Sequence, residues 1–368
     1  MNGTATRVFE RPARIDPSMN EKEMQRSKDP VQVRVPTRID LAGGTVDIWP
    51  LYLFHPGAVT VNAAVDLWAE LRATPLRQKG VLVHEADGRV FRHTPAMGQR
   101  KQGLNLYTVA LDHLPTQGGL SLEVTCRAPH GSGLGGSSSL LVGLCAALLR
   151  LRGQPVVRKR LLELVRDLET RLLGVPAGTQ DFYAALWGGV QAIRWEPGAP
   201  LREVLRIETA ELEKRILLLY TGKSRHSGTN NWQIFRNHLD GDKRVRIHLE
   251  QIASAARGVR EALLRRDFEE VGRWMAEEAR ARKRLSPGIM TPEIHSLESA
   301  MARHGAAAVK VCGAGGGGCV VVYGRPDQKN DLGRLATQEG FTVLPFHIVL
   351  GGLQFRAGLR REVRGADA

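Results

Sequence analysis

The chain has little of what marks several common protein classes. It holds four cysteines in 368 residues, Cys126, Cys145, Cys312 and Cys319, and no C-x-x-C pair. A disulfide-stapled scaffold and a thiolate zinc site are thereby excluded, and reduced core thiols are expected. Aromatic residues make up only 5%, and neither a zinc-finger nor an aromatic-rich RNA-binding signature occurs. No apolar run approaches the ~20 residues of a membrane span. The first residues lack the apolar core of a signal peptide and carry Arg7, Glu10, Arg11, Arg14 and Asp16 instead, so a cytoplasmic location with no membrane partner is expected. No internal repeat is found.

What is plentiful is positive charge: Lys and Arg number 52 against 38 Asp and Glu, a net charge of +14. A nucleic-acid partner has to be weighed on that ground. The basic residues are spread along the chain, a pattern that suits a solvated surface or anionic small substrates, and no nucleic-acid partner is expected. At roughly 100–200 residues per domain, the length fits two domains.

The most informative stretch is Pro129-His130-Gly131-Ser132-Gly133-Leu134-Gly135-Gly136-Ser137-Ser138-Ser139. It follows the alternating strand Leu120 to Cys126 and opens into the apolar run Leu140 to Leu151. A glycine-rich turn between a strand and a helix lets backbone N–H groups converge, and the helix start adds further donors and the positive dipole end, so the fitting occupant is a phosphate. Two familiar loops are ruled out by what is missing. No lysine stands between Lys101 and Lys159, so this is not a P-loop. At the ~20-residue distance where a dinucleotide fold carries its ribose-binding acid stand Pro155, Val156 and Val157.

Residues 1–29 are polar and aperiodic and read as a disordered arm. Val31 to Val35, Ala58 to Ala73, the pair around Asp87-Gly88, and Val190 to Trp195 read as strands, and Lys159 to Leu173 as an amphipathic helix stopped by Gly174. The cluster Glu196 to Pro200 suggests a boundary, giving domains over 30–197 and 198–368. The second half opens on a buried strand at Arg215 to Tyr220, with the polar loop Thr221 to His226 after it. Helical patterns follow over Asn231 to Asn237, over Val245 to Lys283, and from Thr291 to His304. Strands at Ala307 to Cys312 and Cys319 to Tyr323 then flank Gly313 to Gly318, a wasteful hairpin turn unless it approaches a ligand or the first glycine loop closely. Strand-like segments at Phe341 to Phe346 and Gly352 to Phe355 end the chain.

Four charged positions stand among apolar or small neighbours. Arg38, Asp40 and Asp47 lie in Thr37-Arg38-Ile39-Asp40-Leu41-Ala42-Gly43-Gly44-Thr45-Val46-Asp47, a costly setting unless they pair with each other or bind a ligand. Asp181, in Gly178-Thr179-Gln180-Asp181-Phe182-Tyr183-Ala184-Ala185, is either a helix cap or an acid–base group.

Taken together, Pro36 to Asp47, Pro129 to Ser139 and Lys310 to Gly318 resemble, in the same order, the three motifs of the GHMP kinases, the superfamily of galactokinase, homoserine kinase, mevalonate kinase and phosphomevalonate kinase. The resemblance implies an α+β fold of two domains, a ribosomal-S5-like N-terminal α/β domain and a ferredoxin-like C-terminal domain, with ATP and substrate in the cleft between them. It further implies that Pro129, Gly131, Ser132, Gly133, Leu134, Gly135, Gly136, Ser137, Ser138 and Ser139 cradle ATP. Ser137, with Ser138, and Glu169 would hold Mg²⁺. Asp181 would take the proton of the acceptor hydroxyl and Arg38 would neutralise charge near the transferred phosphoryl. Gly44, Thr45, Asp47, Arg225, Gly315 and Gly316 would meet the acceptor. Ala42-Gly43-Gly44-Thr45 is similar to the bacterial heptose-7-phosphate kinase and fucokinase branch, although Val46 alters that branch's usual Gly-Gly-Gly-Thr-Asp. The implied activity is transfer of a phosphoryl group from ATP to a sugar or sugar phosphate, by a monomer or homodimer. A mevalonate-type alcohol is the alternative acceptor, and a non-catalytic binding protein with a basic surface is the alternative of another class.

Overall fold

Alternating valines set a long first strand among the described residues, and the turns between apolar runs fall where glycine and proline cluster. The computed structural model describes residues 29–93, 105–223 and 228–356. The proposed N-terminal arm, apart from Asp29, and Arg225 lie outside the described residues. The first half contains β1 (Val31–Ala42), β2 (Val59–Leu76), β3 (Val81–Glu85), β4 (Val90–His93), α1 (Leu106–His113), β5 (Gly119–Cys126), α2 (Gly136–Leu151), α3 (Arg158–Leu173), α4 (Gln180–Trp187), β6 (Val190–Arg194) and β7 (Leu201–Val204). The second contains α5 (Thr209–Glu213), β8 (Ile216–Tyr220), α6 (Gly228–Leu239), α7 (Lys243–Arg265), α8 (Phe268–Lys283), α9 (Pro292–Arg303), β9 (Ala308–Val311), β10 (Cys319–Tyr323), α10 (Lys329–Gln338), β11 (Thr342–Leu344) and β12 (Gln354–Arg356).

The first sheet has eight strands in the order β12-β1-β2-β5-β3-β4, with β6 and β7 branching from β2. The branch arises because β2 is a single strand of 18 residues. Its start, Val59 to Ala63, pairs with β6, and its end, Ala69 to Leu76, pairs with β5. Pro36 falls at a register shift between Val35 and Thr37, where its missing N–H interrupts no regular ladder. The second sheet is antiparallel in the order β11-β8-β10-β9. With helices between β8 and β9 and between β10 and β11, this is the ferredoxin-like arrangement that the family resemblance implies.

Two expectations are corrected. The Glu196 to Pro200 break is a hairpin turn inside the first sheet, because β7 pairs antiparallel with β6 across it. The division at 197 therefore cuts a sheet, and β12 returns from the far end of the chain to pair with β1. The helical pattern over Val245 to Lys283 is two helices. Arg266 breaks it with φ +57°, and the Asp267 side chain caps α8 by accepting from the Glu270 N–H. The break turns α8 back along α7, so the two can pack on each other.

The apolar core is continuous across both halves. One cluster lies under α1 to α4, with Val142, Leu144, Leu148, Val165 and Phe182 against Val33, Val35 and Leu71. A second joins Ile39, Val61 and Val190 of the first sheet to Val259, Leu263 and Met275 of α7 and α8, and to Leu218 and Val321 of the second sheet. A third fills the far face of the second sheet, under α9 and α10, with Leu217, Val309 and Leu297. Helix α7 contributes to two of these, Leu249 and Ile252 to the first and Val259 and Leu263 to the second. No described helix is long and apolar enough to cross a membrane.

The two glycine loops meet, which is why the second one is so rich in small residues. The Cys319 N–H donates to the Ser132 carbonyl at 2.7 Å. Gly318 has φ +78°, and a Cβ there would stand 2.7 Å from the Ser132 carbonyl oxygen and 2.8 Å from that of Gly131. Gly340 has a similar φ of +85° with nothing within 4 Å of the same position. Gly340→Ala is therefore expected to cost about 1 kcal/mol, the left-handed strain alone, and Gly318→Ala about 3 kcal/mol because two backbone oxygens must also move. Urea unfolding of the pair measures the difference, and equal losses would mean that the loops are not pressed together.

Candidate active site

The Pro129 to Ser139 loop connects β5 to α2, as the alternation and the apolar run predict. Gly135 is the N-cap residue of α2, with φ +76° and no side-chain cap. The start of the helix thus presents backbone donors and the positive dipole end, unobstructed by a capping side chain. A Cβ on Gly135 would lie 3.0 Å from Oδ2 of Asp181, so the loop backbone runs directly against that carboxylate.

Arg38 of β1 organises this corner. Its Nε donates to Oδ1 of Asp181 at 2.7 Å, and its second terminal nitrogen lies 2.6 Å from the same oxygen. Its first terminal nitrogen donates to the Gly133 carbonyl, and its backbone N–H donates to the Leu134 carbonyl at 3.0 Å. Arg38 is 4% exposed, while the Asp181 side chain keeps 20% of its surface exposed. One carboxylate oxygen is thus saturated by the guanidinium, and Oδ2 is left toward the glycine loop and the Ser138 hydroxyl, 3.5 Å away.

Helix α4, which carries Asp181, starts without a side-chain cap of its own at Thr179. Asp47 supplies the cap from a distance: its Oδ2 accepts from the N–H groups of Thr179 at 2.7 Å and Gln180 at 3.0 Å. The side chain of Asn62 adds a bond to the Gln180 carbonyl and itself accepts from Gln191. Asp47 is buried, and burial pushes its carboxyl up to about 6, opposed by the Gln180 N–H and assisted by the charges of Asp181 and Asp40. The residue expected to meet the acceptor is thus engaged in holding the helix that carries the proposed base.

Glu169 reaches the site from α3. Its Oε1 accepts from the Ser138 hydroxyl at 2.8 Å. Ser138, rather than Ser137, is the serine that meets it; Ser137 is exposed on the first turn of α2, and the Ser139 hydroxyl is spent on the Pro36 carbonyl. Burial, then the charge of Asp181, pushes the Glu169 carboxyl up to about 8. At neutral pH the Glu169 carboxyl therefore keeps its proton, and a cation bound beside it would draw that proton off. Among the described residues no group of three or more His, Cys, Asp and Glu could hold a metal by itself. Glu169 and the Ser138 hydroxyl are hard oxygen donors, of the chemistry that Mg²⁺ would require.

The remaining expected residues divide. Gly44 and Thr45 are buried in the turn after β1, whereas Gly315 and Gly316 pack on Ile289, whose carbonyl accepts from the Gly316 N–H at 2.8 Å. Sequence reading missed a set of charges behind the turn. Lys310 of β9 donates to Oδ2 of Asp40 at 2.9 Å and lies 3.5 Å from Oε1 of Glu278; Arg282 lies 2.7 Å from that same Oε1. All four are buried. Burial alone would raise the Asp40 carboxyl, but Lys310, Arg282 and Arg38 more than offset it and hold it below the ordinary carboxylate range. The available signal was a lysine inside the apolar strand Ala308-Val309-Lys310-Val311.

A glycine loop opening into α2, a carboxylate paired with arginine beside it, and a second carboxylate on the Ser138 hydroxyl thus share one corner of the fold. Comparison with known proteins gives the family. The family model described as GHMP kinases N terminal domain matches residues 104–189, and the one described as GHMP kinases C terminal matches residues 259–337. The chain belongs to the GHMP kinase superfamily. It is 26% identical over 344 residues to a D-glycero-alpha-D-manno-heptose 7-phosphate kinase of Campylobacter jejuni, covering 88% of this chain and 98% of that protein. It is 25% identical over 321 residues to a bifunctional fucokinase/GDP-fucose pyrophosphorylase of Arabidopsis thaliana, covering 81% of this chain and 30% of that one. The fold matches a Lactococcus lactis galactokinase complexed with galactose, with TM-score 0.73 and 19% identity over 89% of this chain and 95% of that structure.

The raised carboxyls set a pH dependence. Glu169 and Asp47 keep their protons in the folded protein at pH values where the unfolded chain has released them. The folded state then binds more protons, so stability falls as pH rises. For the protein free of metal and nucleotide, this loss is expected to run from about pH 4 to 8, the Asp47 part ending near 6. Urea midpoints against pH test it: Glu169→Gln is expected to flatten the segment between about pH 6 and 8, and an unchanged slope there would remove Glu169 as its source.

Proposed function

We propose that the protein is an ATP-dependent kinase that transfers the γ-phosphoryl group to a hydroxyl of a sugar or sugar phosphate, of heptose-phosphate or fucose-like type. The observation that carries this reading is the Arg38–Asp181 pair lying against Gly135 of the anion loop. It puts a proton acceptor next to the place where backbone donors would hold phosphates. Phosphoryl transfer asks the protein mainly for position and charge stabilisation. The loop from Gly131 to Gly136 and the start of α2 would hold the phosphates of ATP. Asp181 Oδ2 takes the proton of the acceptor hydroxyl, and Arg38 keeps the carboxylate aimed and offsets negative charge at the attacking oxygen. Glu169 with Ser138, and Ser137 at the exposed edge, would hold a Mg²⁺ ion, which when bound supplies charge neutralisation on the phosphates. Gly44 and Thr45 line the acceptor end, and Arg225 belongs to the same reading. The names of the two sequence relatives support a sugar-type acceptor. A cytoplasmic location goes with ATP as donor.

The test is an ADP-release screen over hexoses, heptose phosphates, uronic acids and mevalonate, followed by Asp181→Asn on the best acceptor. This substitution keeps the shape and removes the base. Turnover is expected to fall by roughly 10²–10⁴ with nucleotide binding nearly intact, whereas full activity in the variant would sink the assignment. Turnover on mevalonate alone would select the alcohol acceptor. No turnover, together with salt-sensitive binding to random DNA, would select the non-catalytic reading.

A further inference from the structure

Thr45 is in an uncomfortable conformation. Its φ is +70°, a region that glycine enters freely and a β-branched residue does not. Such a residue stays in place only if its surroundings hold it there. The holding group is visible: Arg282, near the end of α8, donates from one terminal nitrogen to the Gly44 carbonyl at 2.8 Å and from the other to the Thr45 hydroxyl at 3.2 Å. Glu278, one turn earlier, accepts from the Gly43 N–H at 3.4 Å and from Arg282 at 2.7 and 3.0 Å. Three consecutive residues of the turn are thus gripped by two side chains from the other half of the chain.

Stability does not explain this arrangement. The cluster of Asp40, Glu278, Lys310 and Arg282 is balanced, two charges of each sign, yet Oδ1 of Asp40 and Oε2 of Glu278 have no hydrogen-bond partner among the described residues. A buried ion cluster with unsatisfied oxygens is a poorer source of stability than apolar residues of the same volume. What it does supply is a fixed geometry. The turn leads in two residues to Asp47, whose carboxylate holds the first N–H groups of α4, and α4 carries Asp181.

We propose that Arg282, braced by Glu278, is a positioning residue for phosphoryl transfer: it holds the strained Gly43 to Thr45 turn and so sets the acceptor end of the site. This rests on the kinase reading above. Arg282 bonds to the turn and not to the glycine loop or Asp181, so its contribution is to acceptor binding and alignment and not to the nucleotide.

The experiment compares Arg282→Lys, which keeps the charge but loses the planar fork, in the natural background and in Thr45→Gly. Glycine adopts the turn without strain and has no hydroxyl to hold. In the natural background the substitution is expected to raise the acceptor KM by about tenfold or more, with the Kd for ATP, measured by nucleotide titration without acceptor, changed by less than about twofold. In the Thr45→Gly background the rise is expected to shrink to about threefold or less. An equal rise in both backgrounds, or a matching loss of ATP affinity, overturns the proposal. If the unmodified protein turns over no acceptor, the kinase reading fails by itself. The grip on the turn is then read from urea midpoints of the four proteins, where non-additive shifts support it and additive shifts overturn it.

Discussion

The Arg38–Asp181 ion pair is the contact on which the other parts of the site depend. It joins the strand that begins the fold to a helix 143 residues later in the chain. The guanidinium is almost wholly buried, and a buried charge is tolerable only when it is paired and its remaining donors are used. Arg38 meets both conditions, because its remaining terminal nitrogen bonds the Gly133 carbonyl and its backbone N–H bonds that of Leu134. The same requirement that keeps the arginine stable therefore fixes where the anion loop lies relative to the carboxylate. Moving either would leave a desolvated charge behind.

Around this pair the two halves of the chain are fused rather than apposed. The second apolar cluster draws on both sheets and on α7 and α8. The loop from Gly313 to Gly318 is pinned to the first glycine loop through Cys319 and Ser132. The ion cluster of Asp40, Lys310, Glu278 and Arg282 crosses the same boundary. The two halves thus share a core beside the site, which favours the fixed geometry that electrostatic catalysis needs.

Much of this was legible in the sequence. The strand, glycine loop and helix around Pro129 to Ser139 follow from period and composition, and so does the unease of Arg38, Asp40 and Asp181 among apolar neighbours. Glycine content at Gly313 to Gly318 announced a close approach and the structure supplies the partner. Other features left weaker traces. The turn at Arg266 hides inside a continuous helical period, although Asp267 is a sound capping residue. The choice of Ser138 over Ser137 depends on how α3 lies against α2, which no local pattern encodes. Asp40, Glu278, Arg282 and Lys310 come from three distant segments, so their common location is a property of packing alone. Asp47 illustrates the limit best: its chemistry suits a ligand, and no local pattern reveals that its Oδ2 accepts from two backbone N–H groups 132 and 133 residues away.

The return of β12 to the edge of β1 gives the fold a nested topology. All of the ferredoxin-like sheet, from β8 to β11, is written between strands of the first sheet. During synthesis on the ribosome, Arg34 of β1 emerges 320 residues ahead of its β12 partner Gln354, and the outer edge of β1 stays bare over that interval. An open strand edge is a template for any other strand. The growing chain is accordingly most exposed to mispairing with a neighbouring nascent copy over this long interval, and the few residues of β12 act as a latch that closes it.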